Sequence, residues 1–363
     1  MTLHPLVGHL KARQELAQAV GAGKLPQLLL LTGPAGVGKQ RLALWLAQLA
    51  LCAEPGQEPC GSCRACHLVG ELTHPDLHWV VPVARPKEAD PGKQIEGVAE
   101  ALGQVMAERR ADPLYGPIDG MAGHFVATAR LLQRHAALTP VEGRRKIFII
   151  GGAERLVPQE ASQEAANALL KLFEEPPADT IFLLTAVDPG AVLPTIRSRA
   201  VPVRLRRLSD EEVGRFLEAH LRPAPAAAAL SERVARAAGS IGAALGEDQE
   251  GRKARQAATE LLEAVMAGSG PRLERALKQG PWAARGDFTA MLDALSETLS
   301  DATRASLGHP AVRPVPTGWL RNRSAEAFVG ASERVTAARE AAQGNVNPQL
   351  LLAVLGEELA EIL

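Results

Sequence analysis

The first chemical signal lies at the end of an apolar run. Leu28 to Leu31 stops at Thr32, and Gly33 to Lys39 follows with the spacing G-x-x-x-x-G-K. In a loop of that spacing, backbone N–H groups and a helix N-terminus cradle phosphates, and the lysine reaches the outer ones. Gly33, Gly36, Gly38 and Lys39 are therefore candidate nucleotide-binding residues. The same chemistry wants a serine or threonine next, to hold Mg2+ with its hydroxyl. Gln40 stands there instead. Hydrolysis also needs two carboxylates at the end of a second strand, one orienting the metal and one polarising water. Lys146 to Ile150 is that strand, and it runs into Gly151-Gly152, with Glu154 a little downstream and out of register. Thr185 closes another apolar run. It is either a polar sensor of the outer phosphate or a hydroxyl satisfied by backbone.

Cys52, Cys60, Cys63 and Cys66 are the only cysteines, and two C-x2-C steps fall within the last seven residues of that stretch. Four clustered thiolates make a closed tetrahedral site for which zinc is the natural occupant. Pro55, Gly56, Pro59 and Gly61 supply the turns. The alternative is four unligated thiols. A closed shell of four thiolates offers no open position, so a structural rather than catalytic metal is expected.

Arg199 ends the run Pro194-Thr-Ile-Arg-Ser-Arg199, just before a short apolar stretch. An arginine in a short turn at a sheet edge can be offered to phosphate in a neighbouring subunit. The alternative is a salt bridge within its own chain, since most surface arginines are solvated or weakly paired.

These groups need elements to hold them. Apolar runs at Leu28–Leu31, Leu77–Val83, Lys146–Ile150, Thr180–Val187 and Val201–Leu205 alternate with amphipathic segments. That alternation predicts a parallel sheet with helices on both faces. Helices are expected over His9–Ala22, Arg41–Leu51, His124–Ala137 and Ser162–Glu175, the last stopped by Pro176-Pro177. Arg85 to Ala122 reads as a partly mobile insertion with a helical middle near Ile95–Arg109. Ser209-Asp-Glu-Glu212 is a capping box, and only helices are expected after it. Proline and alanine from Pro223 to Ala229 make a connection, and further breaks fall near Gly268–Pro271, Gly280-Pro281, His309–Pro316 and Gly344–Pro348. A chain of 363 residues is too long for one ordinary core. With 40 basic and 41 acidic side chains it is nearly neutral, which argues against wrapping nucleic acid by itself. No apolar run approaches a membrane span and no signal peptide is visible, so a cytoplasmic location is expected.

Taken in order, the motifs form a set. It comprises the phosphate loop, the four-cysteine insert, Asn167-Ala-Leu-Leu-Lys171 leading to Glu174-Glu175-Pro176-Pro177, the Ser198-Arg199 turn, and Gly344-Asn-Val-Asn-Pro-Gln-Leu-Leu-Leu352. This set resembles the subunits of the bacterial DNA polymerase III clamp loader, and among them the delta-prime family. The resemblance implies an α/β AAA+ P-loop domain over 1–207, with a zinc module at 52–66 and the insertion at 85–122. An all-α lid over 208–247 and an all-α collar over 248–363 would follow. It implies partners: motor subunits and a delta subunit in a five-membered ring, a sliding clamp, and primed DNA reached through the complex, with no membrane.

The family's Ser-Arg-Cys motif supplies the arginine that acts in trans. Ser198 and Arg199 match it, while Ala200 replaces the cysteine. Motor subunits carry a second sensor arginine in a Gly-Ser-x-Arg pattern, and here Gly239-Ser240-Ile241 is followed by Gly242. Gln40, Gly151-Gly152 and Gly242 together imply a subunit without turnover of its own, binding ATP or ADP weakly or holding it unhydrolysed. Zn2+ is the expected structural cofactor. The alternative within the family is an ATP-hydrolysing motor of gamma/tau type. A zinc-dependent nucleic-acid-binding module would want a basic stripe around the cysteines, where only Arg64 is basic. A helicase-type AAA+ protein is disfavoured by the cysteine cluster directly after the phosphate-loop helix.

Overall fold

The computed structural model describes residues 4–112, 122–156, 164–221, 227–245, 249–279, 285–309, 311, 315–321, 323–342 and 346–363. Residues 113–121, the first residues of the Ser162 helix, 222–226, Gly280-Pro281 and Gly344-Asn345 lie outside them. The chain divides into two compact units, one holding 1–118 and 122–245, the other 246–363 with 119–121.

The first unit begins with helix α1 (Leu10–Gly21), strand β1 (Leu28–Thr32) and helix α2 (Lys39–Leu51). Helix α3 (Arg64–Gly70), strand β2 (Leu77–Val80), and helices α4 (Pro91–Ala111) and α5 (Val126–Ala136) follow. The α/β alternation ends with β3 (Lys146–Ile150), α6 (Glu164–Glu174), β4 (Thr180–Ala186), α7 (Pro194–Arg197) and β5 (Val201–Arg204). The five strands form one parallel sheet in the order β2-β3-β4-β1-β5. Every residue of β1, β3 and β4 is buried, because helices cover both faces of a parallel sheet. Leu30 pairs with Leu184 on one side and Pro202 on the other. The phosphate loop thus leaves the carboxyl end of β1 between β4 and β5, beside the ends of β3 and β4, where open α/β sheets place their ligands.

Two of the expected elements differ from the observed ones. The second strand stops at Val80 rather than Val83, since Pro82 cannot donate to a ladder and Val83 pairs instead with Gly123. The helix expected near Ile95–Arg109 is longer: α4 runs for 21 residues behind an Asp90 N-cap with Pro91 at its first turn. Its Ile95, Val98 and Leu102 are part of the main core.

After β5 come α8 (Asp210–His220), α9 (Ala227–Ala237) and α10 (Ile241–Leu245). The Ser209–Glu212 capping box opens α8 with both reciprocal bonds formed. Leu208, Val213, Phe216, Leu217, Val234 and Ala237 bury one another in a small core of their own.

The second unit holds α11 (Gln249–Ala267), α12 (Ser269–Leu277), α13 (Arg285–Ser306), α14 (Thr317–Leu320), α15 (Ala325–Ala341) and α16 (Pro348–Ile362). Its core includes Leu261, Leu262, Leu292, Leu295, Phe328, Val335, Leu352 and Leu355. The Asn-Pro of the C-terminal motif has a local cause: the Asn347 side chain accepts from the Gln349 N–H, and Pro348 takes the first helical position. No described helix is long and apolar enough to cross a membrane.

Two buried charges fix the ground beneath the sheet. Lys146, 3% exposed, donates to the carbonyls of His135, Ala136 and Leu138, and so caps the C-terminal end of α5. Asp76, 1% exposed, accepts the N–H groups of Val141 at 2.6 Å, Glu142 at 2.8 Å and Gly143 at 2.7 Å. Burial pushes the Asp76 carboxyl upward, but the three N–H bonds outweigh it and hold its pKa below the ordinary value.

Asp76→Ala should lower stability by about 3 kcal/mol, because buried hydrogen bonds to charge are lost and three amides are orphaned. Stability lent by a depressed carboxyl is present above its unfolded pKa of about 4 and disappears as pH falls through the folded value. The gap between wild type and variant in denaturant titrations should therefore be full at pH 7 and narrow in acid. An equal gap at pH 7 and pH 3 would refute this account of Asp76.

Candidate functional site: the phosphate loop, the cysteine cluster and Arg199

Gly33, Gly36 and Gly38 all adopt positive φ, at 150°, 69° and 102°. At Gly33 and Gly36 space adds a second demand. A Cβ on Gly33 would stand 2.6 Å from Leu205 O. Gly36 is tighter still: a Cβ there would run into Ser240 Oγ and lie 2.9 Å from Gly242 Cα. The loop's carbonyls are all engaged by the chain itself. Lys39 Nζ donates to Gly33 O at 2.8 Å and Pro34 O at 2.7 Å. Ser240 Oγ donates to Ala35 O at 2.9 Å, and the Gly242 N–H to Gly36 O at 2.9 Å. His9 Nε2 donates to Val37 O at 2.8 Å, so the ring carries a proton on that nitrogen. Gly38 O takes the Leu42 N–H at 2.8 Å in the first turn of α2. The Ser240 turn and α10 thus sit directly on the loop, backbone to backbone, and Gly242 permits it. A Cβ at 242 would come within 2.6 Å of Gly36 Cα.

Lys39 is 8% exposed, and burial brings its pKa down to about 8, opposed by the nearby charge of Glu154. Glu154, which the sequence spacing sets out of register, is thus the carboxylate whose charge reaches Lys39. Its Oε1 accepts the Val187 N–H at 3.2 Å. Gln40 lies against the end of β3. A Cβ on Gly151 would stand 2.8 Å from Gln40 Nε2. Gln40 Oε1 accepts from Arg109 Nη1 at 3.4 Å, and the Arg109 guanidinium lies 4.0 Å over the Trp79 ring. The position that a metal-holding hydroxyl and an acidic partner occupy in a hydrolysing loop is filled here by an amide, a glycine and a buried arginine. Thr185 Oγ1 accepts the Gly152 N–H at 3.2 Å. Fully buried His124 donates from Nε2 to Gly151 O at 2.8 Å, and burial lowers its pKa to about 4, so the ring is neutral at pH 7.

Arg199 lies at the C-terminal end of α7, away from this loop chemistry. Nη1 donates to Thr195 O at 2.8 Å and Nη2 to Glu174 Oε1 at 2.5 Å. Its side chain is 39% exposed and that of Glu174 45%. Two stretches singled out by sequence, Glu174-Glu175 and Ser198-Arg199, are therefore joined by an ion pair that spacing alone did not reveal.

The four cysteines converge. Their Sγ atoms all lie within 4.8 Å of one another. Cys60 Sγ and Cys66 Sγ are 3.9 Å apart, Cys63 Sγ and Cys52 Sγ 4.0 Å. Thiolates at about 2.3 Å from a central ion in tetrahedral array stand about 3.8 Å apart, so the donor set fits a tetrahedral metal. Helix α3 does the positioning: Cys63 is its N-cap and Cys66 lies in its first turn. The N–H groups of Cys60, Cys63 and Cys66 each point at a cysteine sulfur at 3.4 Å, the outer-shell bonds that steady thiolate ligands. Such bonds, from the Cys63 and Ser62 N–H groups first, hold the Cys60 thiol down at about 6. Arg64 donates to Glu142 at 2.8 Å and ties the module to the loop that Asp76 anchors.

Gly242→Ala should push α10 off the loop and cost about 1–3 kcal/mol, as overpacking against immovable backbone does. Hydrogen exchange at amides of 227–245 should quicken while the β3 and β4 amides stay protected. Unchanged exchange there would refute the docking. The chain as isolated should carry one metal ion, and Cys66→Ser should remove it and lower the melting temperature. Full occupancy in that variant would mean the cluster is not the ligand set.

A family model described as DNA polymerase III, delta subunit, matches residues 8–209. The chain is similar to DNA polymerase III subunit delta' of Pseudomonas aeruginosa, 35% identical over 230 residues, covering 62% of this chain and 56% of that protein. Subunit delta' of Bacillus subtilis is 29% identical over 209 residues, 57% of this chain and 51% of that one. DNA polymerase III subunit gamma/tau of Mycobacterium tuberculosis is 29% identical over 203 residues, 55% of this chain and 28% of that one. The chain spans about half the length of the curated delta' relatives it matches. With more than half of its residues inside the family model, the chain belongs to the DNA polymerase III delta-subunit family, on the delta-prime side of it.

Proposed function

We propose that the chain is the delta-prime subunit of a DNA polymerase III clamp loader that does not hydrolyse ATP itself. It works in a five-membered ring with motor subunits and a delta subunit. There it supplies Arg199 to the ATP site of a neighbour and helps load the sliding clamp onto primed DNA. Residues 1–207 form the ATPase-like domain, 208–247 the lid and 248–363 the collar that holds the ring place, all in the cytoplasm. Zinc fills the Cys52, Cys60, Cys63, Cys66 site and stabilises the module. ATP or ADP binds the Gly33–Lys39 loop weakly, without turnover, with Gln40 and Thr185 at its outer end.

One observation carries the reading. The Gln40 side chain packs where a side chain on Gly151 would have to stand. A carboxylate at 151 cannot be restored while Gln40 keeps this place, and the metal-holding hydroxyl at 40 is missing as well. The same geometry supports weak nucleotide affinity. Residue 40 has no hydroxyl for Mg2+ and its amide oxygen faces Arg109, while Lys39 must leave two carbonyls to meet a phosphate. The likeness to gamma/tau subunits favours a second reading, an ATP-hydrolysing motor. That reading needs the chemistry that Gln40 and Gly151-Gly152 have replaced.

The test is ATP hydrolysis by the reconstituted loader with clamp and primed DNA, comparing wild type with Arg199→Ala. Ring assembly should be retained, and hydrolysis should fall by on the order of a thousandfold per affected site, as for loss of an arginine finger. The purified chain alone should show no multiple turnover. Rapid hydrolysis by the lone chain would establish the motor reading. Unchanged hydrolysis in an assembled Arg199→Ala loader would reduce the chain to a scaffold.

A further inference from the structure

Glu174 sits where electrostatics disfavour it. It is the last residue of α6, followed directly by Glu175, Pro176 and Pro177. Backbone carbonyls at a helix C-terminus carry partial negative charge, so cations belong there and carboxylates do not. The carboxylate of Glu174 is therefore not explained by the helix it ends. Its partner explains it: Oε1 accepts from Arg199 Nη2 at 2.5 Å. On the other branch of the same guanidinium, Nη1 is held by Thr195 O at 2.8 Å. The two anchors come from different segments, the end of α6 and the backbone of α7. Together they fix a planar group at two points, whereas either alone leaves it free to swivel. A guanidinium has five N–H donors in a rigid fork, and these two anchors use only two. The anchored side chain is still 39% exposed, so donors on its outer side can meet an incoming anion.

We propose that Glu174 is a positioning residue for Arg199. It holds the guanidinium in the orientation in which its remaining donors reach the phosphates of the neighbouring subunit's ATP. This rests on the reading that Arg199 acts in trans. Glu174 is assigned no contact with the nucleotide. It acts only through Arg199, by sparing the arginine the rotational search that an unanchored side chain makes at each turnover.

The experiment uses the reconstituted loader, with clamp- and DNA-stimulated ATP hydrolysis measured across ATP concentrations. Glu174→Ala, Glu174→Gln, Arg199→Ala and the double variant Glu174→Ala/Arg199→Ala are compared at matched ring assembly. Glu174→Ala should lower kcat about tenfold with KM for ATP little changed, because misorientation costs the transition state rather than ground-state binding. Glu174→Gln keeps an acceptor oxygen at the same place and should recover most of the rate. The double variant should be no slower than Arg199→Ala, since without the arginine nothing is left to position. Wild-type kcat in Glu174→Ala beside a crippled Arg199→Ala would overturn the positioning role and leave the trans-arginine reading standing. A double variant much slower than Arg199→Ala would also overturn it, by showing that Glu174 acts on its own. Wild-type rates in Arg199→Ala would remove the trans-arginine reading and this inference with it.

Discussion

The contact on which the rest of the phosphate-loop region depends is between two glycines. Gly36 and Gly242 meet backbone to backbone, joined by a 2.9 Å hydrogen bond, with no room for a side chain on either. This brings Ser240 within 2.9 Å of Ala35 O and sets α10 across the loop. Lys39 and His9 complete the pattern, so that the loop's carbonyls are all paired within the chain. Buried backbone carbonyls must be satisfied, and a loop that satisfies its own is a stable structural part as well as a possible ligand cradle. The small core around Val213 and Leu217 is anchored to the α/β layer at this point. Leu208 N–H, bonded to Gly239 O at 2.9 Å, closes the turn that presents Ser240.

The cysteine module is tied in by a chain of local causes. Asp76 gathers three N–H groups of the 141–143 segment, which places Glu142. Glu142 then meets Arg64 at the start of α3. The α3 N-cap is Cys63, so the start of the helix places one of the four converging sulfurs. An exposed Arg–Glu pair contributes little by itself. Its value here is geometric, since one end is rooted in a buried carboxylate and the other in a candidate metal site.

Sequence makes much of this legible, for identifiable reasons. Strands β1, β3 and β4 announce themselves because both faces are buried and the runs are continuously apolar. The capping box at Ser209 and the Asn347-Pro348 start of α16 are signals within a few residues. The cysteine set is visible because metal ligands must be of a few types at short spacing. What escapes is whatever depends on distant pairs. Arg109 lies 69 residues from Gln40, and nothing in its neighbourhood marks it as the cation stacked over Trp79. The Glu174–Arg199 pair spans 25 residues and two elements. The packing of α4 is obscured in the sequence by polar, glycine- and proline-rich flanks, although Asp90-Pro91, with its capping bond, is a start signal.

The same geometry separates two kinds of signal within the G-x-x-x-x-G-K motif. Gly36 has positive φ and lies under Ser240 and Gly242, so its glycine is demanded by folding whether or not a phosphate ever binds. Lys39 likewise has work without a ligand, donating to two carbonyls of its own loop. The loop residues therefore say little about turnover. Gln40 and Gly151 say more, because no folding requirement of a phosphate loop excludes a hydroxyl or a carboxylate from those places, whereas Gly152, at φ 66°, has a backbone reason of its own. The side chains that handle metal and water, rather than the glycines that shape the loop, are the ones from which hydrolysis should be judged, and in this chain they are the ones replaced.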